Sequence, residues 1–105
     1  MTARLSLRGV HTVAKSIMQT EKRCYVCGAI YGLHEHHVFG GTANRKNSER
    51  NGFKVWLCGR HHNLSNEGVH FDRDLDLRIK QDCQAEFEKT HSRDEFMKII
   101  GKNYL

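Results

Sequence analysis

Hydrophobic positions divide this chain into short periodic segments separated by polar stretches. Val10, Val13, Ile17 and Met18 recur at helical spacing and predict a short amphipathic helix over about 10–22. Residues 24–41 are punctuated by glycine and rich in histidine, with Leu33, Glu35 and Val38 among them, a pattern that predicts a strand between turns. Residues 42–52 carry almost no apolar side chain and read as an exposed, basic, mobile loop. Phe53, Val55 and Leu57 alternate with Lys54 and Trp56, which predicts a strand with one buried face. Further on, Leu75, Ile79, Cys83 and Phe87 recur every four residues and predict a helix over about 74–90. Asp72, Asp74 and Asp76 lie near its start, where the helix dipole favours negative charge. Ser92 and Glu95 have the spacing of a capping box, opening a helix over about 93–100 that Gly101 is placed to stop. The middle of the chain therefore runs strand, loop, strand, helix, and the expected fold class is α+β with flanking helices.

Such a pattern builds only a thin core. The 105 residues are 38 % hydrophobic, with a mean hydropathy of -0.67. A chain of this length buries roughly two thirds of its unfolded surface, so a staple such as a metal, a disulfide or a partner is expected. One domain over 1–105 is expected from length alone. The absence of proline and of any periodic glycine excludes collagen-like and low-complexity classes. No apolar run approaches the ~18 residues of a membrane span, and MTARLSLRGVHTVAKSIMQT lacks the features of a signal peptide. These observations predict a cytoplasmic protein without a membrane partner, whose four cysteines serve as metal ligands rather than disulfides. The net charge of +5 is unevenly placed: residues 1–60 hold ten basic and three acidic side chains, residues 61–105 seven and nine. The first part suits a polyanion such as nucleic acid, although a merely soluble surface gives the same sign.

Cys24-Tyr-Val-Cys27-Gly28 has the form of a metal knuckle, in which a tight turn brings two thiolates onto one ion. Cys58-Gly-Arg-His61 repeats the spacing with histidine in the fourth place. Cys24, Cys27, Cys58 and His61 thus form a Cys3His set for structural zinc, with 30 residues between the halves. A redox CxxC is the alternative, but it lacks the surrounding βαβ pattern. Cys83 falls on the apolar stripe of the long helix and reads as a core residue.

Six of the eight histidines lie within residues 34–70. His36 and His37 are adjacent, so on a strand they face opposite ways and divide their tasks, one holding a metal and the other working beside it. His62 follows the knuckle directly; Asn66 shares its face if a helix continues, and His70 returns to it if Gly68 turns the chain. A set of unrelated surface histidines is the alternative. His34 has no assigned task.

In this order, Cys24-x-x-Cys27, His36-His37-Val38, Gly40-Gly41 and Leu57-Cys58-x-x-His61-His62 resemble the HNH endonucleases, whose core is a ββα-metal motif. The resemblance covers about residues 22–70. It implies hydrolysis of DNA phosphodiester bonds with His37 as general base. It implies a catalytic divalent ion, Mg2+, Mn2+, Ni2+ or Zn2+, on His36, His62 and either His70 or Asn66. The family's central asparagine orients the loop through backbone hydrogen bonds; its usual position is Phe53 here, and Asn51 is the nearest candidate. The segment after the knuckle is similar to phage HNH proteins, including the RecA-dependent recombination-enhancement nucleases, which implies a phage or prophage origin. Arg45, Lys46, Arg50 and Lys54 flank the expected site as candidate contacts to the DNA backbone. No organic cofactor is expected. A zinc-stapled DNA-binding or adaptor module without activity is the alternative, and it gives His36, His37 and His62 no joint task.

Overall fold

The two expected strands pair with each other. In the computed structural model, which describes residues 14–105, β1 (Leu33–His37) and β2 (Lys54–Cys58) form an antiparallel two-stranded sheet. The register sets His36 opposite Val55 and His37 opposite Lys54. Between the strands runs α1 (Thr42–Asn51); after β2 come the one-turn α2 (Gly59–His62), α3 (Arg73–Phe87) and α4 (Arg93–Ile100). Helices and a small antiparallel sheet make the fold α+β.

The core forms where β2 and the two C-terminal helices meet. Phe53, Val55 and Leu57 are buried, as are Ile79, Cys83 and Phe87 of α3 and Phe96 and Ile100 of α4. Phe39, Phe53, Phe87 and Phe96 pack ring against ring; Phe39–Phe53 and Phe53–Phe87 meet edge to face at centroid separations of 5.6 and 5.4 Å. Asp72 caps α3 by accepting from the Asp74 and Leu75 N–H groups. Ser92 and Glu95 form the expected capping box on α4, and Gly101 ends that helix in the left-handed conformation. Fully buried Gln84 accepts from the Tyr104 N–H and donates to Asn103, which ties the C-terminal segment to α3.

Two expectations are corrected. Residues 42–52 are not a loop: ten of them, Thr42–Asn51, form α1. The helix escapes detection by periodicity because it has no apolar stripe. It holds its place through polar groups instead. Asn44 and Asn47 donate to the Ile100 and Ile99 carbonyls, which the end of α4 leaves without helical partners. Buried Ser48 accepts from the Phe39 N–H and donates to the Phe39 carbonyl. The helix expected over 10–22 lies partly outside the described residues, and Ala14–Lys22 is irregular rather than helical. The Ile17 N–H donates to the Gly52 carbonyl and the Ser16 hydroxyl to the Lys54 carbonyl, while the Met18 and Gln19 N–H groups donate to the Ser16 hydroxyl. Gln19 and Tyr25 bond the Trp56 backbone on the edge of β2 that β1 leaves open.

Phe53 stands at the centre of the aromatic cluster, so Phe53→Ala should cost about 3–5 kcal/mol. Met97→Ala, on the exposed side of α4, should stay within about 0.5 kcal/mol. Urea unfolding of the metal-loaded protein measures both, and equal midpoints would contradict this placement of the core.

Candidate metal centres

The chain turns sharply at the knuckle because Gly28 adopts a φ of 80°, which places its N–H 2.9 Å from the Cys24 carbonyl. Cys58 closes β2 and caps the start of α2, whose third residue is His61. These placements gather the four ligands. Cys27 Sγ lies 3.7 Å from Cys58 Sγ, and His61 Nδ1 lies 3.4 Å from Cys58 Sγ and 3.7 Å from Cys24 Sγ. A tetrahedral ion with bonds of about 2.3 Å to sulfur and 2.0–2.1 Å to nitrogen sets such neighbours about 3.5–3.8 Å apart. The donor set and its spacing therefore fit a metal such as zinc. Burial opposes a Cys24 thiolate, but the N–H groups of Cys58, Cys27 and Val26 and the His61 ring outweigh it and lower the pKa to about 6. The ligand-competent form is thus favoured near neutrality.

A second cluster lies next to the first. His61 of α2 turns to the sulfurs, while His62 approaches β1. One ring nitrogen each from His36, His62 and His70 falls within 4.8 Å of the others. His62 Nε2 and His70 Nε2 are 3.1 Å apart, inside the roughly 2.9–3.4 Å expected of neighbouring nitrogens on one ion. The buried His36 Nε2 has no hydrogen-bond partner. A buried nitrogen in that condition needs a ligand, and the cluster around it fits a divalent cation. Burial, followed by the charges of His62 and His70, pushes the His36 pKa down to about 3, so the ring is neutral and its lone pair is free. On the far side of His62, its Nδ1 lies 2.8 Å from His34 Nδ1, a contact that orients the ring from behind.

His70 reaches this place because α2 stops at His62 and the chain doubles back at Gly68. The Val69 and His70 N–H groups donate to the His61 and His62 carbonyls. A Cβ on Gly68 would stand 2.6 Å from the His62 carbonyl oxygen, so only glycine fits this turn. Asn66 is exposed, and no continuous helix places it beside His62. Of the two alternatives, His70 completes the cluster.

His37 faces the other side of β1. Its Nε2 lies 2.7 Å from Glu49 Oε1, and Lys54 Nζ lies 2.9 Å from Glu49 Oε2 and 3.6 Å from Glu35. Hydrogen bonds from His37 and then Lys54 hold the Glu49 carboxyl below its usual range. Both strand-end histidines border one open cavity with His62, His70, Arg45 and Lys80. Lys54, expected to contact DNA, is corrected: it is buried and its ammonium is engaged by two carboxylates inside the protein. Arg45, Lys46 and Arg50 are exposed along α1. Asn51 does not orient the loop after β1, since it donates within α1 to the Asn47 carbonyl. Ser48 makes the paired backbone bonds to Phe39 in its place. Glu49 and Ser48 escaped sequence reasoning because they lie in a stretch read as loop. Gly52, which closes α1 as a left-handed cap, was the available signal.

No family model matches the chain, and neither a curated protein nor a solved structure matches it. The site is therefore read from its own chemistry.

The two clusters should separate under mutation. Cys24→Ser should release the tightly held metal and abolish a cooperative melt, whereas His62→Ala should keep both. Metal analysis with thermal melts checks this, and identical behaviour of the two variants would contradict it. Gly68→Ala should weaken divalent-ion binding at the histidine cluster by about 10-fold or more while the Cys3His metal stays. Calorimetric titration with Mn2+ measures the difference, and unchanged affinity would show that the turn does not govern His70.

Proposed function

We propose that the chain is a metal-dependent endonuclease of the HNH type that hydrolyses DNA phosphodiester bonds. The supporting observation is the juxtaposition, in one open cavity, of His37 with three imidazoles that converge around an unpartnered buried nitrogen. Zinc on Cys24, Cys27, Cys58 and His61 then has a structural role, because the set is closed by four protein ligands.

Phosphodiester hydrolysis needs a nucleophilic water, relief of charge on phosphorus and a stabilised leaving oxygen. His37 is the general base: a neutral imidazole nitrogen accepts the proton of the attacking water. His36, His62 and His70 hold the divalent ion, which supplies Lewis-acid stabilisation to the scissile phosphate and the leaving oxygen. Neutral imidazoles of His36, His62 and His70 would suit Zn2+, Ni2+ or Mn2+, and would hold Mg2+ less readily. Arg45 lines the cavity and would meet a neighbouring phosphate. Contacts of this kind are salt-sensitive and indifferent to sequence.

Supercoiled plasmid incubated with the zinc-loaded protein and Mn2+ should be nicked or linearised, and His37→Ala should lower the rate by about 10²-fold or more. A variant that cuts like the parent removes His37 from the role of base. A parent that binds one zinc, takes up no second ion and leaves the plasmid intact is a zinc-stapled binding module instead.

A further inference from the structure

Beside His37 stands a group that the proposed chemistry does not yet use. Glu49 enters from the last turn of α1, and both of its oxygens are engaged: Oε1 with His37 Nε2 and Oε2 with the buried Lys54 ammonium. Glu35, His37 and Glu49 are close enough together to suggest a further metal site. Lys54 excludes it, because its ammonium already stands 2.9 Å from one carboxylate and 3.6 Å from the other. The carboxylate is therefore held in place by one permanent cation and directed at a single imidazole nitrogen.

We propose that Glu49 is a positioning residue: its carboxylate accepts the His37 Nε2–H bond and so fixes both the ring orientation and the tautomer, leaving Nδ1 as the basic nitrogen. A carboxylate has no proton to donate, so the nitrogen facing it must carry the hydrogen. Nδ1 then bears the lone pair at every turnover, and no fraction of the protein waits in the wrong tautomer. The same logic makes a buried carboxylate essential behind the histidine of a serine-protease triad. Lys54 is part of the device. It lies opposite His37 in the strand register, so the pairing that sets the sheet also sets the cation that fixes Glu49. The role in catalysis rests on the nuclease reading above, while the tautomer does not.

The deciding variant is Glu49→Gln, since a glutamine can rotate to present its amide N–H and favour the opposite tautomer. In the 15N-labelled, zinc-loaded full chain at pH about 8, above the ordinary imidazole range, ring-nitrogen correlation spectra should show His37 as the Nε2–H form. Glu49→Gln should convert it to a mixture or to the Nδ1–H form, while the Cys3His metal content and the melt of the protein stay close to the parent. With Mn2+ and supercoiled plasmid, kcat should fall by about 10²–10⁴-fold with KM within about threefold. In the His37→Ala background the same substitution should cost nothing more. An unchanged tautomer overturns the proposal, and so does an equal further loss in the His37→Ala background. If the parent does not cut at all, the nuclease reading falls, and the tautomer spectra still decide whether Glu49 fixes His37.

Discussion

The gathering of Cys24, Cys27, Cys58 and His61 is the constraint on which the rest of the structure depends. The chain has few apolar residues, and α2 has four residues, too few to hold a helix on their own. Fixing His61 against three sulfurs holds that turn at the end of β2 and at the knuckle before β1. His61 and His62 are consecutive, about 100° apart around a helix. With His61 turned to the sulfurs, His62 is directed away from them and toward β1. The adjacent second cluster is therefore a consequence of the first. Its third member follows from the same turn, because the backbone after α2 bonds back onto the His61 and His62 carbonyls and so carries His70 alongside.

The sheet supplies the other half of the arrangement. Alternation along β1 gives His36 to the buried side, opposite Val55, and His37 to the polar side, opposite Lys54. A one-residue slip would exchange the two faces and bury His37 in place of His36. Register is protected against that slip by the aliphatic positions Val55 and Leu57, which must face the core. The face that each β1 histidine takes thus follows from the burial of Val55, directly across from His36, and of Leu57, across from His34.

These dependencies explain what could be read from the sequence. The α3 stripe, the Ser92 capping box and the alternation at Phe53, Val55 and Leu57 are local patterns, and each produced the element it predicts. The Cys3His set was legible because ligand spacing is a local property of two short turns. Helix α1 was not legible, since a helix without an apolar stripe gives periodicity nothing to detect; its partners, Phe39, Ile99 and Ile100, are distant in sequence or lie on the strand side. The segment before Lys22 failed for the converse reason. Val10, Val13, Ile17 and Met18 keep helical spacing, but in the described part of that segment the Ala14 and Ile17 N–H groups donate to the Glu49 and Gly52 carbonyls, and the Gln19 side chain accepts from the Trp56 N–H. His34 gave no signal at all, because its contact with His62 joins residues 28 positions apart.

Charge illustrates the same limit more sharply. A count of basic residues gives residues 1–60 a large excess, and from the count alone every lysine and arginine near the histidines is equally available to a polyanion. Folding distinguishes them. Lys54 is consumed by Glu35 and Glu49, Lys80 pairs with Asp76, and Arg60 pairs with Glu67. Arg45, Lys46 and Arg50 remain exposed along α1, and the one acid on that helix, Glu49, is turned toward His37. Among the described residues, three exposed cations thus lie on the helix that flanks the cavity, and Lys15 and Lys22 are exposed before β1. On the proposed reading, a phosphate backbone approaches over α1, and the carboxylate on that helix is paired with the Lys54 ammonium, which it shares with Glu35, and bonded to His37. On that reading the shared ammonium offsets part of the Glu49 charge beside a polyanionic substrate, which links the buried lysine to the exposed arginines of α1.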